Sequence, residues 1–275
     1  MNEKKSNIFA KKSFGQNFLA DQNYIDKIIS ALNPQNNETI IEIGAGRGAL
    51  TAKLLKSGAN VVAIELEREM IAVLKEKFGG FENFTLVEQD ALKVDFQELM
   101  NPESQIPDPK SKLVANLPYY ISTAILQKLI EQRACFSEMI LMFQREVVQR
   151  ITAEVGNKER GFLTVLVEAF LDAEKLFDVS PNAFRPAPKV WSAIVRLIPK
   201  TETAFEDEKL FRELISAGFA QKRKTILNNL KNAPPNLRKK IVDAEKCLEN
   251  AQIAANRRAE TLSLEEWKQI FSVLT

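Results

Sequence analysis

The sequence predicts an α/β fold built on a parallel sheet, followed by a small all-α C-terminal domain. Three observations carry this. Over the first two-thirds, short apolar runs alternate with helical patterns, the arrangement of successive βαβ units. A glycine-rich loop follows the first of those runs. Beyond the polar break Pro199-Lys200-Thr201-Glu202-Thr203, the pattern is helical to the end.

Taken in order, 39–43, 60–65, 84–88, 113–115 and 139–143 read as strands. Between them, 49–57, 67–78 and 122–132 read as helices, the last with Thr123 as a candidate cap. The apolar run 162–167 fits a helix or a strand, because periodicity does not separate the two over so short a span. Two β-like runs follow, at 175–179 and 190–198. Their connection of about ten residues is too short for a helical crossover, so they are expected to be antiparallel around the loop 181–189. Helices are expected at 207–219, 224–231, 236–243 and 264–274, where Ser263 and Glu266 form a capping box for the last. The domain boundary is placed near residue 200, giving 1–200 and 201–275.

Composition narrows the chemistry. The chain has 275 residues, 45% hydrophobic and 27% charged, in the ordinary range for a soluble globular protein. No apolar run approaches the roughly 20 residues needed to cross a bilayer. Met1-Asn2-Glu3-Lys4-Lys5 leads into polar residues rather than the core of a secretory signal. Cys135 and Cys247 are far apart and lack metal-ligand spacing, which fits a reducing, cytoplasmic setting. The histidine count is zero. Ser-His-Asp and Cys-His machinery and a His-ligated zinc are therefore excluded, and no metal is expected. Chemistry at neutral pH falls to carboxylates, amides, lysines or a cofactor.

The net charge of +2 hides a clustered distribution. Between residues 222 and 240, Lys222, Arg223, Lys224, Lys231, Arg238, Lys239 and Lys240 face no acid, and Lys4, Lys5, Lys11 and Lys12 crowd the N-terminus. Such clusters suit a polyanionic partner. A solvated helix face that binds nothing is the alternative.

Asn116-Leu117-Pro118-Tyr119 follows an apolar run, where a buried strand should end. These are the parts needed to hold an adenine by its exocyclic amine. That amine is a poor nucleophile because its lone pair is delocalised into the ring. The Asn116 carboxamide oxygen and the Leu117 carbonyl would accept its two hydrogens and push the lone pair toward an attacking geometry. Tyr119 would stack on the base, a contact worth roughly 1–3 kcal/mol. A Pro-Tyr turn that merely closes a strand is the alternative.

The loop Glu42-Ile43-Gly44-Ala45-Gly46-Arg47-Gly48 follows the first strand. Glycines there let the backbone approach a ligand, and a following helix offers N–H groups. Glu65, about 20 residues on, is placed to meet ribose hydroxyls. Gly44, Gly46 and Ala49 also satisfy a loose dinucleotide pattern, so the loop alone leaves NAD open. Asp90, ending the third strand, is suited to accept from an adenine amine, or to cap a turn. Glu42 could lie near a cationic end of a cofactor, or only orient the loop. With Asn116 beside the expected methyl donor, S-adenosylmethionine is favoured.

Together these blocks resemble the ribosomal RNA small-subunit adenine N6,N6-dimethyltransferases, the bacterial kasugamycin-sensitivity type. The resemblance runs from Lys12-Ser13-Phe14-Gly15-Gln16-Asn17-Phe18-Leu19 through the glycine loop, Ala63-Ile64-Glu65, Asp90-Ala91-Leu92 and the Asn116 motif. It continues in Gln144-Arg145-Glu146-Val147-Val148, Ala183-Phe184-Arg185-Pro186-Ala187-Pro188-Lys189-Val190, Gln221-Lys222-Arg223-Lys224-Thr225 and Arg258-Ala259-Glu260-Thr261-Leu262-Ser263. It departs at Tyr120, where many members carry Asn, and at Glu159-Arg160-Gly161-Phe162. The resemblance implies a Rossmann-like class I S-adenosylmethionine-dependent methyltransferase sheet. It implies a cofactor site of Asn17, Leu19, Glu42, Gly44, Gly46, Glu65, Asp90 and Asn116. Asn116, Leu117, Pro118 and Tyr119 would hold the target adenine, with Phe184 on the base's other side. Lys222, Arg223, Lys224 and Lys231 would grip RNA phosphates. The implied substrate is a pair of adjacent adenines in the 3′-terminal hairpin loop of small-subunit (16S) rRNA, presented on the immature 30S subunit to a monomeric enzyme. The related erythromycin-resistance type, acting on one adenine of large-subunit rRNA, is the rival within this resemblance. A ribosome-assembly factor with secondary methylation is the rival outside it.

Overall fold

The computed structural model of the chain describes residues 17–99, 111–202 and 205–275. Lys4, Lys5, Lys11 and Lys12, the signature from Lys12 to Gln16, and Thr203 of the polar break lie outside the described residues.

The chain runs β1 (Phe18–Leu19), α1 (Gln22–Leu32), β2 (Thr39–Ile43), α2 (Thr51–Lys56), β3 (Asn60–Ile64), α3 (Arg68–Phe78) and β4 (Phe84–Val87). Next come α4 (Phe96–Leu99), β5 (Ser111–Asn116), α5 (Ser122–Glu131), β6 (Phe136–Gln144), α6 (Arg145–Ile151) and α7 (Phe162–Phe170). After β7 (Leu171–Val179), β8 (Phe184–Arg185) and β9 (Ser192–Pro199), five helices close the chain. They are α8 (Glu208–Gly218), α9 (Ile226–Lys231), α10 (Pro235–Lys240), α11 (Ala244–Asn250) and α12 (Leu264–Leu274).

Seven strands form one sheet in the order β4-β3-β2-β5-β6-β9-β7. Neighbours from β4 to β6 are parallel, and β9 is antiparallel to β6. All five residues of β2 are buried, as a strand covered on both faces requires. Strand order reverses beside β2: β3 and β4 build outward on one side, β5 and β6 on the other. At such a switch point the carboxyl ends of the strands leave a crevice. Ile43 and Ala115 are register partners across it. Gly44 follows Ile43 and Asn116 follows Ala115, so this single pairing sets the glycine loop beside the Asn116 motif.

A second, two-stranded sheet joins β1 to β8, with Phe18 opposite Arg185 and Leu19 opposite Phe184. It continues as Ala20 and Asp21 N–H groups donate to the Ala183 carbonyl at 2.8 and 3.2 Å. Asp21 then caps α1 by accepting from Asn23 N–H, and Ile25, Ile28 and Leu32 of that helix enter the core.

The chain separates into two compact units, 1–145 with 175–199, and 146–174 with 200–275. The passage at 199/200 coincides with the expected boundary; 145/146 and 174/175 are further passages. Their cause is α7, the ambiguous run at 162–167. It is a helix buried on nearly every side, and such a helix needs partners all round. Within the second unit Phe170 packs edge-on against Phe205 and Phe211, and Phe205 stacks on Phe211 with centroids 3.6 Å apart. Trp267 of α12 is fully buried there. Arg160, one of the departures from family pattern, is buried and ion-paired to Glu168 at 2.5 Å, a packing role.

Helix α9 begins at Ile226 rather than 224. Thr225 ends the preceding loop by accepting from Asn228 N–H, which leaves Lys224 outside the helix. The expected helix at 236–243 ends at Lys240, and Asp243 instead caps α11. Run 175–179 lies in β7, and run 190–198 lies in β9 from Ser192 onward, its neighbour in the large sheet. Among the described residues no helix is long and apolar enough to cross a membrane.

Candidate active site

Two adjoining cavities open at the crevice beside β2, sharing Gly44, Glu65 and Pro118 in their walls. The first brings together Asn17, Leu19, Glu42, Gly44, Gly46, Glu65, Asn116, Leu117, Pro118 and Tyr119. Asp90 lines the second, with Leu66, Gln89 and Tyr120. Eleven residues expected from five separate stretches of sequence therefore converge on one region of the first unit.

The glycine loop is shaped by backbone geometry. Gly44, Gly46 and Gly48 hold φ of 71, 54 and 77°, a region that side chains disfavour. A β-carbon on Gly46 would also sit 3.2 Å from the ring of Phe18, which lies over the loop. Arg47 in turn stacks its guanidinium 4.7 Å from that ring's centre. The helix α2 starts only at Thr51, so the loop itself, more than a helix terminus, faces the cavity.

Glu65 is fixed by its own backbone neighbourhood. Its Oε2 accepts from Gly46 N–H at 2.9 Å, and its Oε1 accepts from Leu66 and Glu67 N–H at 2.9 and 3.0 Å. A carboxylate offers about four acceptor positions, so about one remains for a ligand hydroxyl. Asp90 similarly spends Oδ1 on Leu92 N–H at 2.9 Å, the turn-capping role weighed for it, while still lining the second cavity.

Glu42 is 2% exposed. Burial pushes its carboxyl up to about 8, and the charge of Glu65 adds to the rise. The Thr51 hydroxyl opposes it by donating to Oε2 at 2.6 Å. A buried acid held this way favours a cationic group beside it.

The Asn116 carboxamide is oriented. Its Nδ2 donates to the Asn17 carbonyl at 3.2 Å. The flipped amide would set oxygen against oxygen, so Oδ1 is the atom left to accept from a ligand. Pro118 and Ile121 close a turn in which Ile121 N–H donates to the Pro118 carbonyl at 3.2 Å. Tyr119 is half-buried on that turn and its phenol lies 2.6 Å from Ser192 Oγ. Burial raises the Tyr119 pKa and the Ser192 bond opposes the rise.

One site residue is corrected. Phe184 is fully buried in the hydrophobic core, facing Leu19 across the short ladder, and does not line either cavity. Alternation along β8 sends its neighbour the other way: Arg185 is exposed and lines the first cavity. Arg185, Phe18 and Ser192 were missed as site residues. The first two lay inside recognised sequence blocks, whereas nothing local marks Ser192. Lys222, Arg223, Lys224 and Lys231 are exposed in the second unit. Lys231 is ion-paired to Glu245 at 2.7 Å.

Comparison with known proteins gives a consistent result. The family model for ribosomal RNA adenine dimethylase matches residues 8–270. A ribosomal RNA small subunit methyltransferase A from Hahella chejuensis is 43% identical over 263 residues, 95% of this chain and 91% of that protein. One from Clostridium botulinum is 40% identical, covering 94% of this chain and 92% of the relative. Among solved structures, a dimethyladenosine transferase from Plasmodium falciparum matches with a TM-score of 0.74 at 30% identity, over 92% of this chain and 95% of that one. The 23S rRNA methyltransferase ErmE matches with a TM-score of 0.68 at 25% identity, over 94% and 99%. With a family model spanning nearly its whole length, the chain belongs to the ribosomal RNA adenine dimethylase family, enzymes that take their methyl groups from S-adenosylmethionine.

Proposed function

We propose that the protein dimethylates N6 of two adjacent adenines in the 3′-terminal hairpin loop of small-subunit rRNA, acting on the immature small subunit. The higher identity to small-subunit enzymes, 43% against 25% for ErmE, supports this over a large-subunit target. The observation that carries the chemistry is the anchored Asn116 amide, which lines the same cavity as the glycine loop.

The residues present fit S-adenosylmethionine. The glycine loop lines the cavity, and a β-carbon on Gly44 would have only the Asn116 carbonyl within reach, at 3.8 Å, so the space in front of it is open to a ligand. Glu42 is a buried acid suited to a cation, and Glu65 keeps about one acceptor position for a hydroxyl. Asn17, Leu19 and Gly44 complete this wall, and Asp90 lies in the adjoining cavity. When bound, the cofactor supplies a methyl group on an electron-poor sulfonium carbon.

The chain's own task is alignment and polarisation. Asn116 Oδ1 and the Leu117 carbonyl accept the two N6 hydrogens and raise the electron density available for attack. Holding reacting atoms near contact distance is worth on the order of 7–11 kcal/mol. As N6 becomes positive, the same two oxygens stabilise it, which stands in for a histidine general base, absent from this chain. Neither oxygen is basic enough to retain the proton, which passes to water. After the first transfer one N–H remains, so one of the two acceptors goes unused in the second round. Tyr119 supplies a stacking wall, and an unpaired loop adenine reaches it without the cost of opening a duplex.

The test is incubation of the protein with labelled S-adenosylmethionine and unmethylated small subunits, followed by mass mapping of the rRNA. Label on neighbouring adenines as N6,N6-dimethyladenine is expected. Small-subunit RNA left unlabelled, or a product that stops at one methyl, would defeat the proposal.

A further inference from the structure

We propose that Ser192 is a positioning residue for adenine capture: with Ser122 it forms a two-hydroxyl clamp that fixes where the Tyr119 ring stands before the base arrives. This rests on the reading that Tyr119 stacks on the target adenine.

Tyr119 stands on a turn, clear of the sheet that fixes Asn116. An aromatic side chain in such a place ordinarily swings between staggered positions about its inner torsion. Here both ends are tied. Ser122 Oγ donates to the Tyr119 carbonyl at 3.0 Å and fixes the main chain. Ser192 Oγ lies 2.6 Å from the phenol oxygen and fixes the far end of the ring. The two serines are 1% and 0% exposed, so water does not compete for either bond.

The second anchor is rigid. Ser192 begins β9, where it is the register partner of Gln144 in β6. Arg145 N–H closes the next rung on the Trp191 carbonyl at 2.9 Å. Moving the Ser192 hydroxyl means opening that ladder. A ring held this way by a central sheet is a preformed surface, and preformed surfaces bind more tightly because less freedom is lost on contact. The clamp also gives the phenol oxygen a purpose: a phenylalanine would stack equally well but leave Ser192 without its partner.

The experiment measures methyl transfer to unmethylated small subunits and cofactor affinity for the full chain and four variants. These are Ser192→Ala, Tyr119→Phe, the two combined, and Tyr119→Ala. Ser192→Ala and Tyr119→Phe should each raise KM for the subunit about three- to tenfold, with kcat and S-adenosylmethionine affinity little changed. The combined variant should be no worse than the weaker single one, because both remove the same bond. Losses that add, a KM that stays at the wild-type value in Ser192→Ala, or a matching fall in cofactor affinity would each overturn the clamp. Should Tyr119→Ala alone lose turnover, the clamp fails while the stacking wall survives. Should Tyr119→Ala turn over normally, the stacking wall fails and takes the clamp with it.

Discussion

The Thr51 hydroxyl is 2.6 Å from Glu42 Oε2, a short bond that offsets only part of the rise burial imposes on that acid. Because its folded pKa of about 8 lies above the ordinary 4.5, the folded chain holds a proton there that the unfolded chain releases. Stability from this group is therefore present at low pH and is lost as pH rises through that window. Glu42→Gln should abolish this dependence, so that the wild type loses melting temperature relative to the variant between about pH 5 and 8. Parallel curves for the two proteins would show that Glu42 is ionised throughout.

Gly46→Ala should weaken S-adenosylmethionine binding. The left-handed φ of 54° costs an ordinary residue roughly 1–2 kcal/mol, and the new methyl meets Phe18 at 3.2 Å. A loss of about tenfold in affinity is expected by calorimetry. Wild-type affinity would mean that the loop relaxes freely and is no part of the cofactor wall.

Asn116→Ala should leave cofactor binding largely intact and lower methyl transfer by about 10²–10³-fold, the range seen when one preorganised polar group is removed from a reacting centre. Single-turnover kinetics with saturating subunit separates the two effects. Near-normal transfer would take the carboxamide out of the chemistry.

The basic residues should not contribute equally to RNA binding. Lys231 is already paired with Glu245 on the surface, whereas Lys222, Arg223 and Lys224 lie on the loop before α9. Replacing Lys222 and Lys224 by alanine should reduce the slope of log K against log salt by about 0.7 per lost phosphate contact. Lys231→Ala should change it less. Equal slopes in all three proteins would remove the cluster from the RNA interface.

Much of this was legible in the sequence where the signal is local. The five apolar runs between residues 39 and 143 are all strands, and Ser263 with Glu266 does form the capping box. The glycine loop and the Asn116 motif stand together because they end neighbouring strands, which alternation of elements already implies. The illegible parts depend on distant pairing. Burial of Phe184 is decided by its place opposite Leu19, 165 residues earlier, and the Ser192 bond to Tyr119 spans 73 positions. Helix α1 is a different case: its cap at Asp21 and its Ile25, Ile28, Leu32 spacing are visible in the chain, but it precedes the first strand of the large sheet and so escapes a search for βαβ repeats.

The β1–β8 ribbon has only two residues in each strand, yet Phe18 and Leu19 from one strand and Arg185 from the other line the same cavity. So small a ribbon has little cohesion of its own, and whatever stiffens one edge stiffens the other. Ordered loading, with S-adenosylmethionine seated before the RNA, is the expected outcome. Product-inhibition kinetics reads this directly, since a random order would give patterns symmetric in the two reactants.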